Sequence, residues 1–143
     1  MANRYLHTQR GTVMLISLLA GAVVIGSLSY LNPPPVRWIS LALALGFLVL
    51  AWFFSSLTVA VNDRDLNWYF GPGAWKYRVP IADIVAVRVV RNSVANGFGI
   101  RMRRGFRLYN VSGLDAVEFR LKDGDLRRIG TDDAPGLAAA LQS

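Results

Sequence analysis

The most distinctive polar feature of the chain is the segment Asn96–Arg107 (NGFGIRMRRGFR), which packs four arginines and two phenylalanines into twelve residues. A guanidinium is a planar fork of N–H donors that matches the oxygens of phosphate or carboxylate groups in pairs. On a strand, Arg101 and Arg103 share one face. Arg104 and Arg107 follow closely, and Arg88 is expected beside them. Two ligand classes suit such a cluster. Anionic lipid headgroups attract each basic residue by about 1 kcal/mol near a charged leaflet, and Phe98 and Phe106 would then wedge into the interface. An acidic surface on a protein partner is the second class. A plainer reading is a solvated sheet edge, whose charge discourages strand-to-strand aggregation.

Other chemistry has little to work with. The chain contains no cysteine and a single histidine, His7, near the N-terminus. Disulfides, thiol catalysis and thiolate metal sites are excluded, and a histidine relay has one member at most. Asp63/Asp65, Asp123/Asp125 and Asp132/Asp133 are paired carboxylates, but each pair sits where turns or helix caps need short acidic side chains. Gly71-Pro72-Gly73 with Lys76 lacks the Gly-Lys-Ser/Thr ending of a phosphate loop. We therefore expect no enzyme activity, no metal and no cofactor. The net charge of +7 invites a nucleic-acid partner, yet no basic helix or aromatic stacking ladder accompanies it.

The elements that must position these residues begin with two uncharged runs, residues 12–31 and 38–57. Each is about 20 residues, so as a helix each reaches roughly 30 Å, the thickness of the bilayer's hydrocarbon core. A domain this small has no room to bury two such helices. The spacing predicts an uncleaved transmembrane hairpin over residues 12–57, preceded by a tail at 1–11. Pro33-Pro34-Pro35 is expected to stop the first helix and turn the chain. Arg4 and Arg10 precede the first helix and Arg64 follows the second, against Arg37 alone in the connection. That balance predicts an inner-membrane protein with both termini cytoplasmic. Small residues four apart, Ser17/Gly21, Ala22/Gly26 and Ala42/Gly46, are expected to let helices pack closely, within the hairpin or against another protein.

From Thr58 the apolar period changes to two, the strand signature. Strands are expected at 58–62, 66–70, 75–79, 84–91, 100–103, 107–111, 116–121 and 126–129, with a helical turn at 80–83 and a loop at 92–99. In the strand 116–121, Val117, Phe119 and Leu121 face in while Glu118 and Arg120 face out. Thr131, Asp132 and Asp133 supply caps for a final helix carrying Leu137 and Leu141. About eight strands in this order predict a partly open antiparallel barrel plugged by the helix.

The stretches Trp68-Tyr69-Phe70-Gly71-Pro72-Gly73, Val79-Pro80-Ile81-Ala82-Asp83-Ile84, Leu108-Tyr109-Asn110-Val111-Ser112-Gly113 and Ile129-Gly130-Thr131-Asp132-Asp133 give residues 58–143 a form that resembles the bacterial pleckstrin-homology-like (PH-like) domains. A membrane hairpin often accompanies that family. The resemblance implies two packed sheets with a capping helix, and it carries over no catalytic residue. Phosphoinositide-binding relatives place basic residues around the first hairpin. Here that turn is Asp63-Arg64-Asp65, net acidic, and inositol phosphates are not expected there. The chain is thus expected to be a non-enzymatic accessory or scaffold protein that docks on a membrane-protein complex or on itself, with anionic-lipid binding as the alternative.

Overall fold

The computed structural model describes residues 2–143. Its first element is a strand, β1 (Tyr5–Arg10), in the segment expected to be a tail. Tyr5, His7 and Gln9 alternate inward while Leu6, Thr8 and Arg10 face solvent, the period of a half-buried strand. One residue later begins α1 (Thr12–Leu28), which continues as a 3-10 turn through Leu31. The second helix, α2 (Pro34–Phe53), runs back to β2 (Ser56–Val61). β1 and β2 are antiparallel neighbours, paired from Tyr5↔Val61 to Arg10↔Ser56. The helical hairpin is therefore an insertion at the end of a β-hairpin, and both of its ends are fixed to one sheet.

Two glycines make that junction possible. Gly11 donates its N–H to the Ser55 carbonyl at 2.7 Å, and a Cβ there would collide with the Phe54 carbonyl oxygen and lie 3.0 Å from Val111 Cβ. Gly71 has φ of +44°, and a Cβ would meet the Phe53 carbonyl oxygen at 2.5 Å. The helix ends are clamped against the β domain by backbone.

The second helix starts four residues earlier than expected. Pro34 and Pro35 occupy its first turn, where no backbone N–H partner is required and a fixed φ is already helical. The prolines thus open α2 instead of forming an extended turn. Arg37, expected in the loop, lies in that first turn and donates to the Ser29 and Asn32 carbonyls, both at 3.3 Å. Two helical spans of 20 residues are long and apolar enough to cross a membrane, and only 11% of each apolar window is buried within the protein. Among the described residues nothing covers the remainder.

The small-residue pairs divide. A Cβ on Gly21 would strike the Phe47 ring at 2.7 Å, Gly26 faces Ala44, and Ala22 is buried, so these form the hairpin seam. Ala42 and Gly46 do not. Both are exposed, with open space around Gly46, because the inward stripe of α2 runs through Ala44, Phe47 and Ala51, a different helical phase.

The β domain continues with β3 (Asp65–Phe70) and β4 (Lys76–Pro80), then a 3-10 turn over Ile81–Asp83. There follow β5 (Ile84–Arg91), β6 (Gly99–Arg103), β7 (Phe106–Asn110), β8 (Asp115–Leu121), β9 (Leu126–Gly130) and the helix α3 (Ala134–Gln142). These form two sheets, a smaller one ordered β1-β2-β3-β4 and a larger one ordered β5-β8-β9-β7-β6. The fold is a mainly-β domain with a C-terminal helix, as expected, but two details differ. The ninth strand comes from the supposed tail, and β7 and β9 pair parallel, so the sheets are not wholly antiparallel.

The sheets enclose an aromatic core. Trp68 has no exposed surface; it stacks on Tyr77 at 5.4 Å and meets Tyr109 and Phe119 edge-on at 5.1 and 6.1 Å. Offset and edge-to-face pairs of this kind add to plain area burial. α3 closes the side between edge strands β1 and β5 by inserting Ala134, Leu137, Ala138 and Leu141. Asp133 caps it, accepting from the Gly136 N–H at 3.1 Å, and Tyr5 Oη donates to the other Asp133 oxygen at 3.0 Å. Burial and that carboxylate together push the Tyr5 hydroxyl well above its ordinary pKa.

Candidate interaction surface

Strands β6 and β7 form a hairpin around the two-residue turn Arg104-Gly105, with Gly105 at φ of +94°. Its register, Arg101↔Leu108, Met102↔Arg107 and Arg103↔Phe106, divides the arginines. Arg101 and Arg103 lie on the outer face of the larger sheet, Arg107 on the opposite face, and Arg104 at the turn. Four cations therefore surround the hairpin instead of converging on one point. Arg101 Nε donates to the Phe98 carbonyl at 2.8 Å. Arg103 donates to the Asn96 and Ala95 carbonyls at 3.1 and 2.7 Å, which ties the preceding loop to the strand. Among the described residues none of the four makes a salt bridge.

One expectation for this segment fails. Arg88 is not a neighbour of Arg101 and Arg103. It sits on β5, at the opposite edge of the larger sheet, and four strand spacings amount to roughly 19 Å. Phe106 is half-buried, and the Arg128 guanidinium carbon lies 3.9 Å above one face of its ring. Phe98 is half-buried in the crossover loop.

The hairpin also has a direction relative to the helices. Gly99, at the start of β6, lies beside Met14 and Phe54, the residues at the helix ends. Val111, just past β7, accepts from the Met14 N–H at 3.3 Å. The Arg104-Gly105 turn is at the other end of the strands, about 16 Å farther along the sheet at the usual rise. Different residues surround the helix base. Trp75, 66% exposed, packs its ring 5.3 Å from Phe53, and Phe54 packs on Phe70 at 5.1 Å. Trp75 precedes β4 instead of opening it.

A third constellation has no counterpart in the sequence expectations. Glu118 of β8 faces outward as its alternation requires, but it is 3% exposed. Arg88 Nε on β5 and Arg128 Nε on β9 each hold one of its oxygens at 2.6 Å. Arg128 also donates to Asn92 Oδ1 at 3.1 Å. Burial alone would raise the Glu118 pKa; the hydrogen bonds and charges of Arg128 and Arg88 outweigh it and hold the carboxyl below its ordinary value. Both oxygens are engaged, so Glu118 is a clamp and not a proton acceptor. It binds three adjacent strands together, and through Arg128 and Asn92 it anchors the loop that carries the chain from β5 across to β6. A cleft of about 320 Å³ beside it is lined by Ala86, Arg88, Arg120 and Leu126.

The paired aspartates divide between turn or cap acceptors, Asp123 and Asp133, and ion pairs with distant residues, Asp63 with Arg4 among them. Asp123 accepts from the Asp125 N–H, Asp65 pairs with Arg78 at 2.7 Å, and Asp132 meets His7 Nε2. Among the described residues, no three His, Cys, Asp or Glu side chains gather as a metal would need. Comparison of the sequence with family models and with curated proteins finds no match in either.

Proposed function

We propose that the protein is a membrane-anchored, non-enzymatic docking module: its helical hairpin spans the bacterial inner membrane and holds a PH-like domain at the cytoplasmic face, where it binds a membrane-protein partner. The observation that carries this reading is the junction at β1 and β2. A domain on a flexible tether would be joined to its anchor once, through a linker. This one is joined twice, by links of one and two residues, and clamped by the Gly11 and Gly71 backbone. Such a junction fixes the pose of a surface over the bilayer. Confinement to two dimensions in a fixed pose raises effective concentration, so a modest contact area is enough for docking.

The same junction strengthens the orientation argument. With β1 in the domain's own sheet, the N-terminal segment and the domain lie on one side of the membrane. Arg10 then stands at the helix ends, and Arg4 and Arg64 stand at the far end of β1 and β2 on the same side, against Arg37 alone at the turn between the helices, which favours a cytoplasmic domain. Lipid binding by the arginines fits less well, since the strands lead Arg104 away from the helix base while neutral Trp75 lies at it. The test is purification of the full-length chain in mild detergent from its native membrane. A defined, stoichiometric protein complex is expected; recovery with lipid alone overturns the docking role.

A further inference from the structure

Of the larger sheet's two edges, one is covered and one is bare. α3 packs along β5, with Gln142 Nε2 reaching the Val87 carbonyl. Among the described residues no helix or strand packs along the free edge of β6; only the loop before it reaches the Arg101 and Arg103 side chains, on the outer face. From Ile100 to Arg103 every residue is exposed on both faces, and Met102, on the face turned toward the sandwich interior, is 78% exposed. In a hairpin closed by two residues the flanking pair, here Arg103 and Phe106, exchanges backbone hydrogen bonds, and alternation follows from it. Arg101 and Gly99 therefore point their backbone groups at β7. Ile100 and Met102 point theirs outward, and among the described residues neither has a backbone partner outside the strands.

The chemistry of this edge selects its occupant. Residues 99–111 carry four arginines and no acid. A second copy of β6 is a poor fit, because antiparallel self-pairing centred on Arg101 sets arginine against arginine, and like charges directly opposite are destabilising. An acidic strand is complementary. On one face its carboxylates would meet Arg101 and Arg103, each of which keeps free N–H donors after serving the loop carbonyls. On the other face its apolar residues would lie against Ile100 and Met102. We propose that the β6 edge captures an extended, acidic segment of a partner protein, alternating acidic and apolar residues, as an added strand of the larger sheet. This rests on the docking reading above and names its surface and partner chemistry.

The experiment uses the full-length chain in nanodiscs of neutral lipid and a fluorescent ten-residue peptide alternating glutamate and valine, read by anisotropy. The peptide is expected to bind, and its lysine–valine counterpart to fail. Met102→Pro removes an N–H from the free edge, where proline is tolerated, and should weaken binding at least about tenfold. Arg101→Gln with Arg103→Gln should do the same. Where Met102→Pro fails to fold, a peptide N-methylated at alternate residues replaces it, and loss of its binding is expected. No binding by the wild-type chain, or undiminished binding by Met102→Pro or the methylated peptide, overturns strand addition. Competition that removes the peptide only in anionic nanodiscs assigns the arginines to headgroups and also overturns it. Unchanged co-purification of the native complex with both variants would leave the docking reading standing and remove β6 as its surface, so the two failures are distinct.

Discussion

Replacing Glu118 by glutamine should loosen the larger sheet without disturbing the helical hairpin. The glutamine side chain keeps the shape of the glutamate but can no longer neutralise the two guanidinium groups that lie 2.6 Å from its oxygens in the wild type. Breaking a fully buried ion pair by removing one partner costs about 3–5 kcal/mol. Arg88 is 68% exposed at its side chain and can turn to water, whereas Arg128 is 17% exposed and held over Phe106. The cost should therefore sit near the lower end, about 3 kcal/mol. The acid dependence gives a second signature. Because the folded-state pKa of Glu118 lies below its ordinary value, its contribution is complete above the unfolded-state value of about 4.3 and fades as pH falls through the folded-state value. Urea unfolding in detergent, followed by the near-ultraviolet circular dichroism of buried Trp68, measures both. The wild type should lose the margin over Glu118→Gln as pH drops below about 4. A variant within about 0.5 kcal/mol of wild type at neutral pH, or a margin that does not shrink in acid, would refute the clamp.

Two further outcomes follow from the junction and the seam. Gly11→Ala must move the backbone at Phe54 and press on the Val111 side chain, and it should destabilise the domain by about 2–3 kcal/mol in the same urea assay, a value typical of overpacking against rigid neighbours. Gly21→Leu should spread the hairpin, because its side chain meets the Phe47 ring, while Gly46→Leu projects into open space; crosslinking of cysteine pairs placed across the helices should fall in the first variant and not in the second.

Strands from β3 onward were legible because Leu66, Trp68 and Phe70, or Val117, Phe119 and Leu121, alternate over several residues between Gly- or Pro-bearing turns. β1 was not. Its sequence Tyr5–Arg10 alternates only weakly, its partner lies about fifty residues away, and Arg4 and Arg10 look like the basic flank of a membrane helix. The prolines misled for a related reason: the same residue that stops one helix can open the next. The burial of Glu118 depends on which strands flank β8. Arg88 and Arg128 reach it only because β5 and β9 are its neighbours in a non-sequential order, and strand order is a property of the assembled fold. Likewise the spacing of Ala42 and Gly46 reports a small-residue ridge on α2 but not which ridge faces α1; Phe47 and Ala51 set that phase.

The tie between both helix ends and one sheet also predicts where each part of the chain stands relative to the bilayer, and the absence of cysteine makes the measurement clean. Single cysteines at Asn3, Tyr30 and Lys122, all exposed, can be probed in intact spheroplasts with a membrane-impermeant maleimide. Tyr30→Cys, at the turn between helices, should react from outside, and Asn3→Cys and Lys122→Cys only after lysis. Labelling that puts Asn3 and Lys122 on opposite sides, or that reaches all three positions without lysis, would contradict the anchored hairpin.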